Sequence, residues 1–566
     1  MNKVILIAIL AVAAFLRIYD LNRVPPGFYA DEASWAYNAY SIFLTGRDEY
    51  GRILPWSFEA FGDYKLGVTV YSILPAFAIF GVSDWSARLP TAIYGLLAVI
   101  GIYLLCRELQ KQHPPSLSQK YLPLLAASFL AVTPGHIFMS RGIWDVQAAL
   151  CYTIFGIVFF LKSIRLLTHQ TISRASLSYM TLSAITFVLS MYSYNSSRVI
   201  TPLIILFLFF NYFKDLFPTT SPKLIFRNLL SLALPFFLSL LLLLPQLLAL
   251  TSPQVLQRAQ YVSIFQHGEV EAKLYAAIQK DSSTQPVLLT RFLHNKPIFY
   301  AEEFLQNYLS HFELDFLFLA GDTFEIFQVQ DSGILLLLFL PFLFFGLYAS
   351  LRYHYSYRNL AWFLLLVSPI PSALTIFTPS VSRAQLIVIP LTIFTASGLL
   401  FTIQLLSARY HSFGVRAFLF ILVSCLISNF SYWFHQYYIQ NPPLVAAKWN
   451  DGWRELSAIL ETSLDQKTPV IVSNSQAPSY IFLSWYWRIP PETIWKTRLT
   501  DFQPDSNGLN TTSQILNHIN FSKQIKSSCQ EVESPAICVS FLKELDRGQI
   551  ITNSYSQPIF QYYKPM

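Results

Sequence analysis

Charge is what this chain has least of. Asp, Glu, Lys and Arg make up 13% of its 566 residues, against 54% that are hydrophobic. Cysteine is scarce as well, five in all, and there is no CxxC, HExxH, P-loop or GxSxG pattern. Readings as a zinc protein, a P-loop nucleotide enzyme or a serine hydrolase of the nucleophile-elbow type therefore have no foothold. Cys106, Cys151 and Cys425 lie in or at apolar runs and read as small hydrophobes. Cys529 and Cys538 sit in the polar C-terminal part, where they either pair, if that part faces an oxidising compartment, or stand as unrelated thiols. A net charge of +7 is modest and does not point to nucleic acid. Internal repeats and low-complexity tracts are absent.

What the chain has is grease: 48 Phe, a mean hydropathy of +0.43 and repeated apolar runs of about 15–22 residues. The runs predict a mostly α, polytopic membrane protein with about eleven transmembrane helices. They lie near 4–19, 88–106, 121–139, 146–162, 176–193, 199–213, 228–250, 333–351, 359–377, 385–406 and 416–435. A signal-peptide reading of 4–19 is set aside, because no A-x-A site follows and Arg17 interrupts its end. The segment 67–81, "GVTVYSILPAFAIFG", is the test of the count. With that segment left on the membrane surface and the N-terminus cytoplasmic, every inner loop carries two or three basic residues. Arg107, Lys111 and Lys120 share one such loop, and Arg409 and Arg416 another. The short outer loops then hold one each, Arg141, Arg198 and Arg383. A twelfth span at 67–81 would place the basic loops outside, against the positive-inside rule.

Two parts are expected: a membrane-embedded domain, 1–435, and an extracytoplasmic C-terminal α/β domain, 436–566. Within the first, 20–87 and 251–332 are long outer loops. The α/β expectation rests on "TPVIVSN" (468–474) as a buried strand and "GWRELSAILETSL" (452–464) as an amphipathic helix.

The first outer loop contains "GFYADEASWAYNAY", residues 27–40, with the adjacent carboxylates Asp31 and Glu32 at the membrane boundary. One reading is structural: a helix begins here, Asp31 caps it and Glu32 suits its first turn. The other is chemical, since a partly desolvated carboxylate can take a proton. The rest of the outer face favours chemistry. Lys65 follows in "FGDYKLG", Arg141 and Asp145 in "SRGIWDVQ", Arg198 in "YSYNSSRVITP" and Arg383 in "FTPSVSRAQ". Any one outer cation can be an interfacial anchor that snorkels to lipid headgroups. Four on one side of a bundle suit an anionic lipid headgroup, because guanidinium forks hold phosphate oxygens and stay charged in a dry site. An acid for a hydroxyl proton and cations for a lipid phosphate are the two halves of a group transfer.

"PPGFYADEASWAYNAYSIFLTGRDEYG", "GDYK" and "FGVSDWSARLPTAIYG" resemble the N-terminal third of membrane-embedded glycosyltransferases of the GT-C fold. The branch resembled is that of the protein O-mannosyltransferases and aminoarabinose transferases. The likeness covers about 1–200 and continues more loosely through 307–322 and 369–385; the C-terminal part carries none. It implies transfer of a sugar from a polyprenyl-phosphate donor to an extracytoplasmic protein, lipid or glycan hydroxyl, with inversion. By the resemblance Asp31 matches the general base, Glu32 orients the acceptor or shares the proton, Asp145 occupies the second acidic loop, and Lys65 contacts phosphate. Arg141, Arg198 and Arg383 are assigned to the departing lipid phosphate from topology as much as from likeness. "TFEIFQ" follows "ELDFLFLAGD" where basic residues are often found, so His311, Asp315 and Asp322 receive no role. No cofactor is expected; a divalent metal shared by Asp31 and Asp145 is the less favoured alternative.

A transporter or flippase of a lipid-linked glycan is the rival class. Transporters gather ionisable groups near the midplane of their spans, whereas here the acids lie outside the predicted spans. A non-catalytic receptor is opposed only by the outer acid and cation constellation.

Overall fold

The structure is a computed structural model. It describes residues 2–112, 119–167, 173–217, 222–249, 262–266, 268–281, 286–463, 468–501, 503–504, 510–511, 514–516, 518–530, 536–542, 544–545 and 548–563. In chain order it opens with α1 (Asn2–Ile18), α2 (Ala30–Thr45), the hairpin β1 (Ser57–Ala60) and β2 (Asp63–Leu66), α3 (Val68–Phe80) and α4 (Asp84–Gln112). Then come α5 (Leu122–Ala131), α6 (Pro134–Met139), α7 (Asp145–Leu167), α8 (Arg174–Met191) and α9 (Ser197–Asn211). The apolar run 121–139 is two helices rather than one, because Pro134 lacks an N–H and disfavours helical backbone at Thr133 before it.

Among the described residues four helices are long and apolar enough to cross a membrane: Asp84–Lys111, Asp145–Leu166, Val381–Arg409 and Ser412–Val445. Shorter apolar helices lie at Val68–Phe80, Leu122–Ala131, Ser197–Asn211, Ala233–Leu248 and Leu337–Arg352. The segment 67–81 is one of these, a helix of 13 residues with Pro75 inside it.

The chain divides into two compact units that interleave in sequence: Met1–Arg17, Ile93–Ser140 and Asp145–Gln436 form one, and Ile18–Ala92, Arg141–Trp144 and Tyr437–Met566 the other. The first is a helical bundle. Its central helix, Val388–Arg409, is buried from Val388 through Phe401, whereas helix Ser412–His435 presents Phe413 and Phe420 outward. A helix apolar all round and buried is core; one apolar and bare suits contact with lipid. Helix Leu340–Arg352 crosses Val388–Arg409 at two glycines. A Cβ on Gly346 would strike the Phe394 carbonyl, and one on Gly398 the Phe342 carbonyl. That close approach is how small residues substitute for hydrophobic driving force between membrane helices. Helices α7 and α8 are joined by hydroxyls, Thr153 to Ser190 at 2.7 Å and Ser183 to the Gly156 carbonyl at 2.8 Å.

The second unit holds a six-stranded mixed sheet ordered 514–515, 519–522, 470–473, 537–541, 558–563, 549–552. Strand β3 (Val470–Ser473), fully buried, runs parallel to both neighbours. Such a strand needs cover on both faces and reads as a continuous apolar run. Trp453 lies at the core, stacked on Phe482 at 5.1 Å and edge-on to Phe560 at 4.9 Å. Cys529 and Cys538 form a disulfide with Cα atoms 6.3 Å apart. In this same unit Tyr37 donates to the Ile489 carbonyl at 2.9 Å, and Trp495 to the Asp48 carbonyl at 2.9 Å. Residues 18–92 and the C-terminal residues are therefore one body, fastened by side chains that a linear division of the chain does not anticipate.

Candidate active site

The acid pair is delivered by the start of α2. Tyr29 occupies the cap position in extended backbone, so Asp31 falls in the first helical turn and does not cap the helix. Glu32 takes that duty, accepting the Tyr29 backbone N–H at 3.3 Å. Just before the helix, Gly27 has φ +57°, and a Cβ there would lie 2.8 Å from Asp451 Cα, so only glycine fits.

The two carboxylates live in different surroundings. Glu32 is 0% exposed and clasped by Arg88, with Nε 3.1 Å from Oε1 and Nη2 2.9 Å from Oε2. Its Oε1 also accepts the Ile143 N–H at 2.7 Å. Arg88, 1% exposed, spends its remaining donors on the carbonyls of Leu21, Pro25 and Gly27. A buried ion pair is tolerable only when its lone pairs and protons are all met, and here they are. Both oxygens of Glu32 are taken by protein donors. It acts as a fastening that ties the start of α2, the Pro25–Gly27 bend, the first turn of α4 and segment 141–144 to one point.

Asp31 is held more lightly and is 28% exposed at its side chain. Its Oδ2 lies 3.2 Å from Lys65 Nζ, and Lys65 lies 2.8 Å from Asp63 Oδ2. The other oxygen of Asp31, Oδ1, has no hydrogen-bond partner among the described residues. The Tyr29 phenol is pushed up to about 12, first by burial and then by the neighbouring Asp31 charge, with Lys65 opposing. It remains a neutral O–H beside the acid.

The assigned cations are placed as follows. Lys65 meets Asp31 and Asp63. Arg141 is 0% exposed, donates to the Val24 carbonyl at 2.8 Å and lies 4.7 Å from the Tyr438 ring centroid. A guanidinium buried in that way is no snorkelling anchor. Asp145, Arg198 and Arg383 belong to the other unit. Asp145 is the first residue of α7 and Arg198 stands in the first turn of α9. Arg383 donates to the Phe377 carbonyl at 3.1 Å and packs over the Phe377 ring.

The turn that carries Arg383 is clamped by two residues given no role from sequence. Asp322 accepts the N–H groups of Phe324, at 2.8 Å, and Val381, at 2.5 Å, and burial raises its carboxyl to about 6. His311, lowered to about 4 by burial and so neutral, accepts the Ser380 N–H at 3.3 Å.

Arg88 is the site residue that sequence reasoning passed over, although it stands in the quoted "ARLP". The available signal was a lone guanidinium entering an apolar helix, which needs a buried partner. No group of three or more His, Cys, Asp or Glu among the described residues is placed to hold a metal ion. At Asp31 the neighbouring cation is the Lys65 ammonium.

With this geometry in view, the comparisons define the fold first: the chain has the GT-C fold of membrane-embedded glycosyltransferases. ArnT from Cupriavidus metallidurans bound to undecaprenyl phosphate matches with TM-score 0.52 and 11% identity, over 98% of this chain and 97% of that one. The apo state of the same protein matches with TM-score 0.51 and 11% identity, over 99% and 97%. The apo oligosaccharyltransferase of Archaeoglobus fulgidus matches with TM-score 0.50 and 17% identity, over 86% of this chain and 64% of that one. This chain thus spans less than two thirds of the archaeal enzyme's length. No family model and no curated protein matches the sequence.

Proposed function

We propose that this protein is a multi-pass membrane glycosyltransferase that moves a sugar from a polyprenyl-phosphate donor to an extracytoplasmic hydroxyl. The acceptor hydroxyl gives its proton to Asp31 as its oxygen attacks the anomeric carbon. The bond from that carbon to the phosphate oxygen breaks on the opposite face, inverting the centre and releasing polyprenyl phosphate. Lys65, Arg141, Arg198 and Arg383 are the cations assigned to the charge on the departing phosphate, and Asp145 is the acid assigned to the second acidic loop. Glu32 orients the acceptor's surroundings through the Arg88 clasp. The chemistry is assigned without a metal. About eleven spans with a cytoplasmic N-terminus put 20–87 and 436–566 on the extracytoplasmic side.

One observation carries this reading: a carboxylate at the start of α2 with one oxygen on Lys65 and the other without a partner among the described residues, on a segment fixed by a satisfied buried ion pair. The extent of the fold match to a protein crystallised with undecaprenyl phosphate supports the donor class. The test is to incubate purified protein in nanodiscs with synthetic polyprenyl-phosphate sugars and follow the release of polyprenyl phosphate. Release that depends on the protein is expected for at least one sugar. Protein-driven movement of intact donor between leaflets, with no cleavage of any sugar, would give the case to the flippase reading.

A further inference from the structure

The helical unit contains a chain of buried polar side chains that the site described above does not use. Arg17, on α1, places Nη2 2.6 Å from His136 Nδ1. His136 Nε2 lies 3.1 Å from the Gln147 amide nitrogen, and Gln147 Oε1 meets the Gln385 amide. Arg17, His136 and Gln147 are 0% exposed and Gln385 is 2% exposed. The chain ends in a gap: Gln385 Oε1 is buried with no partner among the described residues.

Hydrogen-bond polarity fixes what that last atom is. A guanidinium only donates, so His136 Nδ1 accepts, the imidazole is neutral and its proton sits on Nε2. That N–H must donate, and the Gln147 atom facing it must be the carbonyl oxygen. Turning the Gln147 amide by half a turn moves no heavy-atom position and presents its NH2 to Gln385. Gln385 then turns likewise and offers its own carbonyl oxygen. Each link in the order Arg17, His136, Gln147, Gln385 then joins a donor to an acceptor, and the unpartnered atom at the end becomes an amide nitrogen. The chain starts on a cation and finishes on a buried donor that lacks an acceptor, which is costly to leave unmet in a dry interior. Gln385 stands two residues after Arg383, and Gln147 two residues after Asp145.

We infer that Gln385 is a further ligand-binding residue, whose amide N–H, oriented by Arg17 through His136 and Gln147, donates to the anionic phosphate of the polyprenyl donor. The inference rests on the proposed function and adds a neutral, directional contact to the assigned cations. An acceptor in the ligand completes the chain, and a phosphate oxygen is a strong one.

The test titrates undecaprenyl phosphate, and separately undecaprenol, into the detergent-purified full chain. Gln385→Met removes the amide and Gln385→Glu keeps an acceptor for Gln147 while removing the donor. Both variants should bind undecaprenyl phosphate about tenfold or more weakly than wild type, with Gln385→Glu the weaker, and both should bind undecaprenol as wild type does. Equal losses for phosphate and alcohol would mean that Gln385 only packs the interior, and overturn the inference. Wild-type phosphate affinity in Gln385→Glu would overturn it as well, while leaving the glycosyltransferase reading intact. Failure of the wild-type chain to prefer the phosphate over the alcohol would overturn both.

Discussion

Replacing Arg88 is the sharpest perturbation of the proposed site, because Arg88 supplies the ion pair to the buried Glu32. Arg88→Ala strips both oxygens of Glu32 of their charged partner and releases the carbonyls of Leu21, Pro25 and Gly27. Breaking one side of a buried pair and leaving the other charge uncompensated costs about 3–5 kcal/mol. Arg88→Lys keeps the charge but lacks the fork, so it recovers only part of that loss. The Glu32→Gln, Arg88→Met double variant removes both charges, and its loss should fall well short of the sum of the singles, with a coupling of about 2–3 kcal/mol. The assay is denaturant unfolding in detergent for the four corners of the cycle, with sugar transfer measured on the same samples below the unfolding midpoint. Transfer should fall in every Arg88 variant even where the protein is folded, because the clasp sets where Asp31 stands. An Arg88→Ala protein within 1 kcal/mol of wild type, by this order-of-magnitude reckoning, or singles that simply add, would refute the argument.

The other expectations are smaller in reach. Asp322 keeps its proton up to about 6 in the folded protein against an ordinary 3.8, so the folded state is favoured as pH falls and that advantage is lost as pH rises through about 6. Unfolding measured from about pH 4 to about pH 8 should show wild type losing stability relative to Asp322→Asn as pH rises, by at most about 3 kcal/mol; a flat difference contradicts the burial argument. Gly346→Ala should cost about 1–3 kcal/mol in unfolding experiments, since the added methyl meets backbone rather than a movable side chain; a neutral result would mean the two helices part easily. A cysteine at exposed Ser412, like those at Thr168 and Ser221, which lie outside the described residues, should be shielded from an impermeant thiol reagent in intact cells. One at exposed Glu325 should be labelled; Ser380 is buried beneath the Asp322 clamp, and Ser506 lies outside the described residues. Labelling at Ser412 without lysis would overturn the orientation.

How much of this was legible in the sequence differs from one feature to the next. The acid pair and its helix were visible because local signals set them: aromatic and small residues at helical spacing behind a Pro-Pro-Gly bend. Which acid does what was not visible, because it turns on one residue of phase. With Tyr29 at the cap, Asp31 falls in the first turn and Glu32 reaches back to the Tyr29 N–H. Arg88 was passed over because its partner lies 56 residues away, and one basic residue at the head of an apolar run reads as an anchor. The α/β character of the C-terminal part followed from one apolar strand and one amphipathic helix. Its union with residues 18–92 depends on long-range pairs such as Tyr37 with Ile489, which no periodicity announces. The pairing of Cys529 with Cys538 was open on sequence grounds; the structure joins them, with a Cα separation of 6.3 Å that suits a disulfide.

Asp31→Asn tests the central claim most directly. Asparagine keeps the shape and a carbonyl oxygen for Lys65, while the first turn of α2 retains its Glu32 cap, so the melting temperature should change little. What it removes is the basicity of the group that receives the acceptor's proton. The measurement is the single-turnover rate of sugar transfer from a synthetic polyprenyl-phosphate donor, wild type against Asp31→Asn, with binding of the donor followed in parallel. The account predicts a fall of about 10²–10⁴-fold in rate with donor binding retained. An Asp31→Asn protein that transfers sugar at the wild-type rate would contradict it.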